Sequence, residues 1–89
     1  MDTQVFETTL KKDGFDEVVT RSLPAGQVVP PHSHPFAVRA LVLEGEITLT
    51  VGEASRTYRA GEVFTMDAAC EHTEQVGAAG VDYLVGRRH

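Results

Sequence analysis

The alternation of apolar and polar side chains along the chain predicts short β-strands. Residues 46–51 show it most clearly, because Ile47, Leu49 and Val51 each follow a polar residue. Other runs rich in Val, Ile, Thr, Phe and Tyr predict strands over residues 15–23, 36–44, 55–59, 62–66, 72–76 and 81–85, and more weakly over 4–10. No segment carries apolar residues with a 3.6-residue period over the length of a helix. Seven or eight short strands separated by glycines and prolines predict an all-β fold, an antiparallel sandwich or barrel.

The length of the chain sets the number of domains. It is short enough for one domain only, which we take to span residues 1–89. Such a domain buries about 60–65% of the surface that its unfolded chain exposes, so a second copy or a bound metal ion would add needed stability. The longest apolar runs, such as residues 41–43, are far shorter than the roughly 20 residues of a transmembrane helix. The N-terminal residues do not resemble a signal peptide, so we expect a cytoplasmic protein.

Charge and composition exclude several classes of function. The net charge is −5, with 13 acidic and 8 basic residues. Without clustered Lys and Arg to neutralise phosphates, nucleic acid is not expected as a partner. We expect Arg87 and Arg88 to solubilise the C-terminus. The single cysteine, Cys70, excludes an internal disulfide and a zinc finger built on cysteine pairs. The absence of asparagine excludes a Cys-His-Asn catalytic set.

The histidines carry the candidate chemistry, and two of the four form the pattern His32-Ser33-His34. Side chains two residues apart on a strand point to the same side, so one strand can present both imidazoles to one ion. A third imidazole from another strand would complete a facial metal site with open positions for water or substrate. His72 is the best candidate, because His89 is the last residue of the sequence. On spacing alone, a surface pair of histidines is the alternative.

The residues around this pair resemble the first sequence motif of the cupin family. That motif consists of a glycine, a His-x-His pair, a glutamate and a second glycine at fixed intervals. Here Gly26 is followed by five residues and then by His32 and His34. Three more residues lead to Val38, and six more lead to Gly45. Every interval fits the motif, but valine stands at the position of the family's glutamate.

The second cupin motif is also recognisable, although it departs further from the family pattern. Five residues follow Gly61, then Asp67 and Ala69 stand at the family's proline and glycine positions, and His72 comes three residues later. Val76 replaces the closing asparagine. The resemblance implies a small single-domain antiparallel β-barrel of the jelly-roll or double-stranded β-helix type. Because such barrels commonly pair with a second copy, it also implies a homodimer.

Val38 is the difference from the family motif that affects metal binding, because the resemblance would place a glutamate ligand at this position. Some cupins lack metal and keep the barrel for sugar isomerisation or simple binding, and those commonly lose histidines as well. Others, similar to the diketone-cleaving and cysteine-oxidising cupins, keep three histidines without the glutamate and bind Fe(II). All three histidines are present here, so we expect one divalent transition-metal ion per chain on His32, His34 and His72. Neutral imidazoles suit Fe, Ni, Zn, Mn or Cu, and protonation at acidic pH should release the ion.

Residues beside the histidines are candidates for catalysis and for substrate binding. Glu74 lies two residues beyond His72 and should face the same side of a regular strand. It is the candidate catalytic, proton-handling group, with a fourth ligand, a hydrogen-bond partner of a ligand histidine or a solvated glutamate as alternatives. Arg39 could clamp a carboxylate if strand twist turned it inward, although strict alternation points it away. The candidate pocket residues are Phe36, Val38, Arg39, Met66 and Tyr83.

Two functions follow as hypotheses, both with a small molecule as partner and neither involving a membrane. The first is an Fe(II)-type oxygenase acting on a small chelating substrate such as a diketone or a thiol acid, with the metal held by the three histidines. The second is a non-catalytic module that binds a metal ion or small ligand, because a minimal barrel has few loops to shape a selective pocket. A metal-free isomerase would need a catalytic His–Asp or Tyr pair that the sequence does not show.

Overall fold

The computed structural model describes residues 2–89, which form one helix and six strands. In chain order these elements are α1 (Thr3–Lys12), β1 (Glu17–Leu23), β2 (Val28–His32), β3 (Ala37–Val51), β4 (Ala54–Arg59), β5 (Val63–Met66) and β6 (His72–Arg88). The sheet runs β1-β6-β3-β4, with β2 paired to β6 and β5 paired to β3, and every pairing is antiparallel. The predicted all-β, antiparallel fold is confirmed, with one helix added to it.

The predicted strand over residues 4–10 is wrong, because this segment belongs to helix α1. Asp2 caps the helix by accepting hydrogen bonds from two backbone N–H groups of the first turn, at 2.7 and 3.3 Å. Phe6 and Leu10, four residues apart, share one face of the helix and are buried against the sheet. The threonines and valine around them favour strands locally. The packing of two side chains therefore decides the structure here, as it does for most short helices in proteins.

Strands β3 and β6 each contain two of the predicted short strands. Each strand continues through a bend, at Gly45 in β3 and at Gly80 in β6, and both glycines have a φ of 78°. The bends touch, because a Cβ atom at Gly45 would lie 1.9 Å from the carbonyl oxygen of Gly80. Only glycine tolerates both the left-handed backbone and this contact. These two glycines thus mark bends within continuous strands, not the turns between strands that the sequence suggested.

The bent strands separate two hydrophobic clusters. The inner cluster lies inside the barrel and includes Val42, Ile47 and Tyr83. The outer cluster lies beneath helix α1, where Leu10 packs with Leu41 and others on the outer face of the sheet. Leu41 and Val42 are neighbours in β3 and enter different clusters because successive side chains of a strand point to opposite faces. Among residues 2–89, no helix has the length and apolar character to cross a membrane.

Candidate metal centre

Three histidines meet where strand β2 ends and strand β6 begins. His32 is the last residue of β2, His34 follows it, and His72 is the first residue of β6. The pairing of β2 with β6 places His32 opposite His72, with ring centroids 4.1 Å apart. The His34 ring lies 4.9 Å from that of His32 and 5.1 Å from that of His72. One ligand nitrogen of each ring lies within 4.8 Å of the other two. The structure thus brings together the three histidines that the sequence selected.

Backbone carbonyl groups fix two of the three rings. The Nδ1–H group of His32 donates to the carbonyl oxygen of Pro30 at 2.9 Å, and the Nδ1–H group of His72 donates to that of Cys70 at 3.0 Å. A carbonyl oxygen can only accept, so Nδ1 carries a proton in both rings. Nε2 is then the atom of each ring that can supply a lone pair to a metal ion.

The surroundings of His34 favour a neutral imidazole. Burial is the main cause that lowers the pKa of His34 below the usual 6.5, and the neighbouring His32 and His72 lower this pKa further. His72 itself is only 3% exposed. Because metal ions compete with protons for the same lone pairs, a lowered histidine pKa widens the pH range over which the ring can bind a metal.

Glu74 places a carboxylate oxygen against the same histidines. Its Oε2 atom lies 3.1 Å from Nε2 of His32 and 3.3 Å from Nε2 of His72, and its side chain is 13% exposed. Glu74 follows His72 by two residues on strand β6, so the alternation of the strand brings both side chains to the inner face. The carboxylate therefore reaches the space toward which the Nε2 atoms of His32 and His72 point.

The donor atoms of the cluster fit a divalent transition-metal ion. Metal–nitrogen bonds of about 2.1 Å place the nitrogens of neighbouring ligands roughly 3.0–3.4 Å apart. The three histidine nitrogens lie within 4.8 Å of one another, so small rotations of the rings suffice to bring them to that spacing. Nitrogen donors together with one carboxylate oxygen suit Fe, Ni, Zn, Mn and Cu.

A cavity of about 150 Å³ opens beside the histidines. Four of the five predicted pocket residues line it: Phe36, Val38, Met66 and Tyr83. The Phe36 ring also stacks on the His34 ring, with centroids 4.9 Å apart and planes 15° apart. Val38 belongs to the inner hydrophobic cluster, so the position of the family's glutamate forms an apolar wall of the cavity.

Arg39 does not line this cavity, and its prediction as a pocket residue is wrong. Its guanidinium group donates to Oδ2 of Asp13 at 2.6 Å and lies 4.6 Å from the centroid of the Phe15 ring. Phe15 belongs to the outer cluster beneath helix α1. Because Val38 points inward, strand alternation turns Arg39 outward, and local twist does not reverse this.

Two other arginines, Arg21 and Arg87, line the cavity and were missed by sequence reasoning. Arg87 was expected only to solubilise the C-terminus, but it is part of strand β6 and donates to Oε1 of Glu17 at 2.7 Å. Arg21 could have been found from the pattern of strand β1. It lies between the half-buried Val19 and Leu23, two residues from each, so strand alternation places it on their side of the strand although it is itself exposed.

Comparisons with known proteins identify the same fold. Residues 19–78 match the family model described as "Cupin domain". No curated protein sequence matches the chain significantly. Among solved structures, a structural-genomics protein of unknown function from Rhizobium leguminosarum bv. viciae aligns with a TM-score of 0.76 and 17% identity, over 80% of this chain and 67% of that protein.

Two further solved structures show the same similarity. The cupin domain of Cnp3 from Schizosaccharomyces pombe aligns with a TM-score of 0.72 and 18% identity, over 80% of this chain and 53% of that one. An RmlC-like cupin from Desulfovibrio desulfuricans aligns with a TM-score of 0.65 and 27% identity, over 80% of this chain and 69% of that one. The chain thus spans between 53% and 69% of the lengths of these three structures, which establish its fold.

Proposed function

Because the chain belongs to the cupin family, we propose that it binds one divalent transition-metal ion through His32, His34 and His72 and presents this ion to a small molecule in the cavity. One observation carries the proposal. The Nε2 atoms of His32 and His72 lie 3.1 and 3.3 Å from the Glu74 carboxylate, while both Nδ1–H groups donate to backbone carbonyls. Nδ1 is thereby occupied in both rings and Nε2 is left as the atom that can bind an ion, so one divalent ion could be bound by both Nε2 atoms and the carboxylate together.

Glu74 supplies the negative charge that the family motif places at position 38. Three neutral imidazoles would leave the ion with its full charge, and a carboxylate in the same place lowers it by one unit. We assign Glu74 as a fourth donor. When a chelating molecule displaces it, its carboxylate is also close enough to accept that molecule's proton, which is the catalytic role expected from the sequence.

The reaction that we propose is Fe(II)-dependent oxygenation of a small chelating molecule. When bound, the ion would supply open positions for the substrate and for dioxygen, as in non-haem iron sites built from histidine and carboxylate. The protein's own contribution is an apolar wall at Phe36 and Val38 that excludes water, with Glu74 as the group that takes up a proton. A non-catalytic metal or ligand-binding module is the second candidate, favoured by the small size of the cavity, about 150 Å³.

Elemental analysis of the protein purified without chelator or affinity tag tests the metal site. The wild type is compared with His34→Ala and with His89→Ala, a matched control because His89 lies outside the cluster and contacts Glu17 at 3.0 Å. We expect about one metal ion per chain in the wild type and in His89→Ala and a large loss in His34→Ala. No metal in the wild type after reconstitution with Fe(II), Ni(II) and Zn(II) would contradict the proposal. Dioxygen uptake by the iron-loaded protein with diketones or thiol acids then separates the enzyme from the binding module.

A further inference from the structure

Arg21 brings an unpaired positive charge to the inner face of the barrel. Val19 and Leu23, two residues before and after it on strand β1, both pack against the inner cluster. Arg21 therefore points to the same side, and its side chain lines the cavity that the histidines border. It forms no ion pair and no side-chain hydrogen bond with any residue in the range 2–89, whereas Arg39 and Arg87 each pair with a carboxylate. Arg21 is an exposed residue at the mouth of the cavity, so its five N–H donors are held by no protein group and can bind a ligand there.

Tyr83 lies opposite Arg21 in the pairing of β1 with β6 and adds a second donor. The side chain is 5% exposed and lines the same cavity. Its hydroxyl group makes no hydrogen bond to another residue of the described chain, although buried tyrosine hydroxyls usually find a partner. No fully buried polar side-chain atom among the described residues lacks a partner, so the unpaired hydroxyl is accessible. Because Tyr83 lines the cavity, the hydroxyl is accessible from there. Burial raises the pKa of Tyr83, so the group remains a neutral O–H donor.

Arg21 differs from the other charged residues that line the cavity, because it has no charged partner among residues 2–89. Arg87 also lines it, but its guanidinium group is already bound to Glu17 and lies 5.2 Å from the centroid of the Phe36 ring. Glu74 is the only carboxylate among the lining residues, and it is held against the histidines. Arg21 is therefore the one lining cation without a carboxylate partner in the described part of the chain.

We infer that the cavity binds a small carboxylate, whose oxygens accept hydrogen bonds from the guanidinium group of Arg21 and from the hydroxyl group of Tyr83. The other end of the molecule faces His34, His72 and Glu74, which line the same cavity. A planar guanidinium group matches a carboxylate in geometry as well as in charge. This inference names the substrate class of the proposed function and rests on that function only for the end that faces the metal.

Titration of the isotope-labelled protein with succinate, followed by NMR, tests the carboxylate site. Succinamide, which has nearly the same shape and no charge, is the matched probe. The variants are Arg21→Gln, Tyr83→Phe and, as a control, Arg56→Gln, because Arg56 is exposed and lies over the Tyr58 ring outside this cavity. We expect succinate affinity to fall about 10-fold in Arg21→Gln and roughly 3-fold in Tyr83→Phe, and to be unchanged in Arg56→Gln. Arg21→Lys, which keeps the charge but not the planar fork, should give an intermediate loss.

Equal succinate affinity in Arg21→Gln and Arg56→Gln, or succinamide binding as tightly as succinate, would overturn the inference. The titrations are carried out on metal-free and Zn(II)-loaded protein, with the metal content of each sample measured separately. If the protein takes up no metal but succinate binding still depends on Arg21, the metal proposal fails and the carboxylate site stands. If it takes up metal but Arg21→Gln changes nothing, the carboxylate site fails alone. The NMR spectrum of each variant shows whether it is folded.

Discussion

Replacing Gly45 by alanine tests whether the contact between the bends of β3 and β6 shapes the barrel. The new Cβ atom would lie 1.9 Å from the carbonyl oxygen of Gly80 and 2.8 Å from its carbonyl carbon, whereas real Cβ atoms essentially never come within 3.0 Å of such atoms. The two backbones would have to separate by about 1 Å, which weakens neighbouring cross-strand hydrogen bonds worth about 1 kcal/mol each. The left-handed φ adds about 1–2 kcal/mol. We expect a total loss of about 4 kcal/mol in the free energy of unfolding.

Gly26→Ala is the matched control for this substitution. Gly26 has nearly the same φ, 73°, but a Cβ atom there would meet no heavy atom within 4 Å. Gly26→Ala should lose only the cost of the left-handed φ, about 1 kcal/mol of the free energy of unfolding. This loss lowers the melting temperature by about 4–8 °C in a domain of this size. Thermal and urea unfolding of the metal-free variants, followed by circular dichroism, gives both values. If Gly45→Ala is no less stable than Gly26→Ala, the contact does not constrain the barrel and the reasoning is refuted.

Two further predictions concern charged groups. The hydrogen bond from Arg39 is the largest cause that lowers the pKa of Asp13 below its ordinary 3.8. The unfolded chain therefore binds this proton at a higher pH than the folded chain, and the stabilisation is present above pH 3.8 and is lost as the pH falls through the folded pKa. Asp13→Asn should have a lower melting temperature than the wild type at neutral pH and the same one at strongly acidic pH, with Asp16→Asn as control; a difference independent of pH would contradict this. Glu74→Gln should weaken Zn(II) binding about 10- to 100-fold in competition with a chelating dye, with exposed Glu71→Gln as control. Equal Zn(II) affinities would show that the Glu74 carboxylate does not touch the ion.

The histidine cluster could be predicted from the sequence because its geometry depends on strand periodicity. His32 and His34 are two residues apart, and the family motifs define where His72 lies relative to them. The proximity of Glu74 to the histidines follows from the same two-residue rule. These inferences needed only the direction in which neighbouring side chains point, and the sequence encodes that directly.

Helix α1 and the bends could not be predicted, because they depend on contacts between distant residues. Phe6 and Leu10 form a helix face only because the outer face of the sheet is present to bury them. Gly45 and Gly80 read locally as turns, and only their mutual contact shows that the strands continue. Arg21 is a different case. It follows Val19 and precedes Leu23 by two residues, which places it on their side of strand β1, but a single arginine in a strand is ordinarily a solvated surface residue.

The hydrogen bonds from Nδ1 of His32 and His72 to backbone carbonyls have a consequence for mutational tolerance. Every residue has a carbonyl oxygen, so the partners at positions 30 and 70 survive any substitution that leaves the chain path unchanged. The orientation of the two imidazole rings therefore depends on the backbone path and not on which side chains occupy those two positions. A barrel built in this way can change other residues around the histidines while the two rings keep their direction.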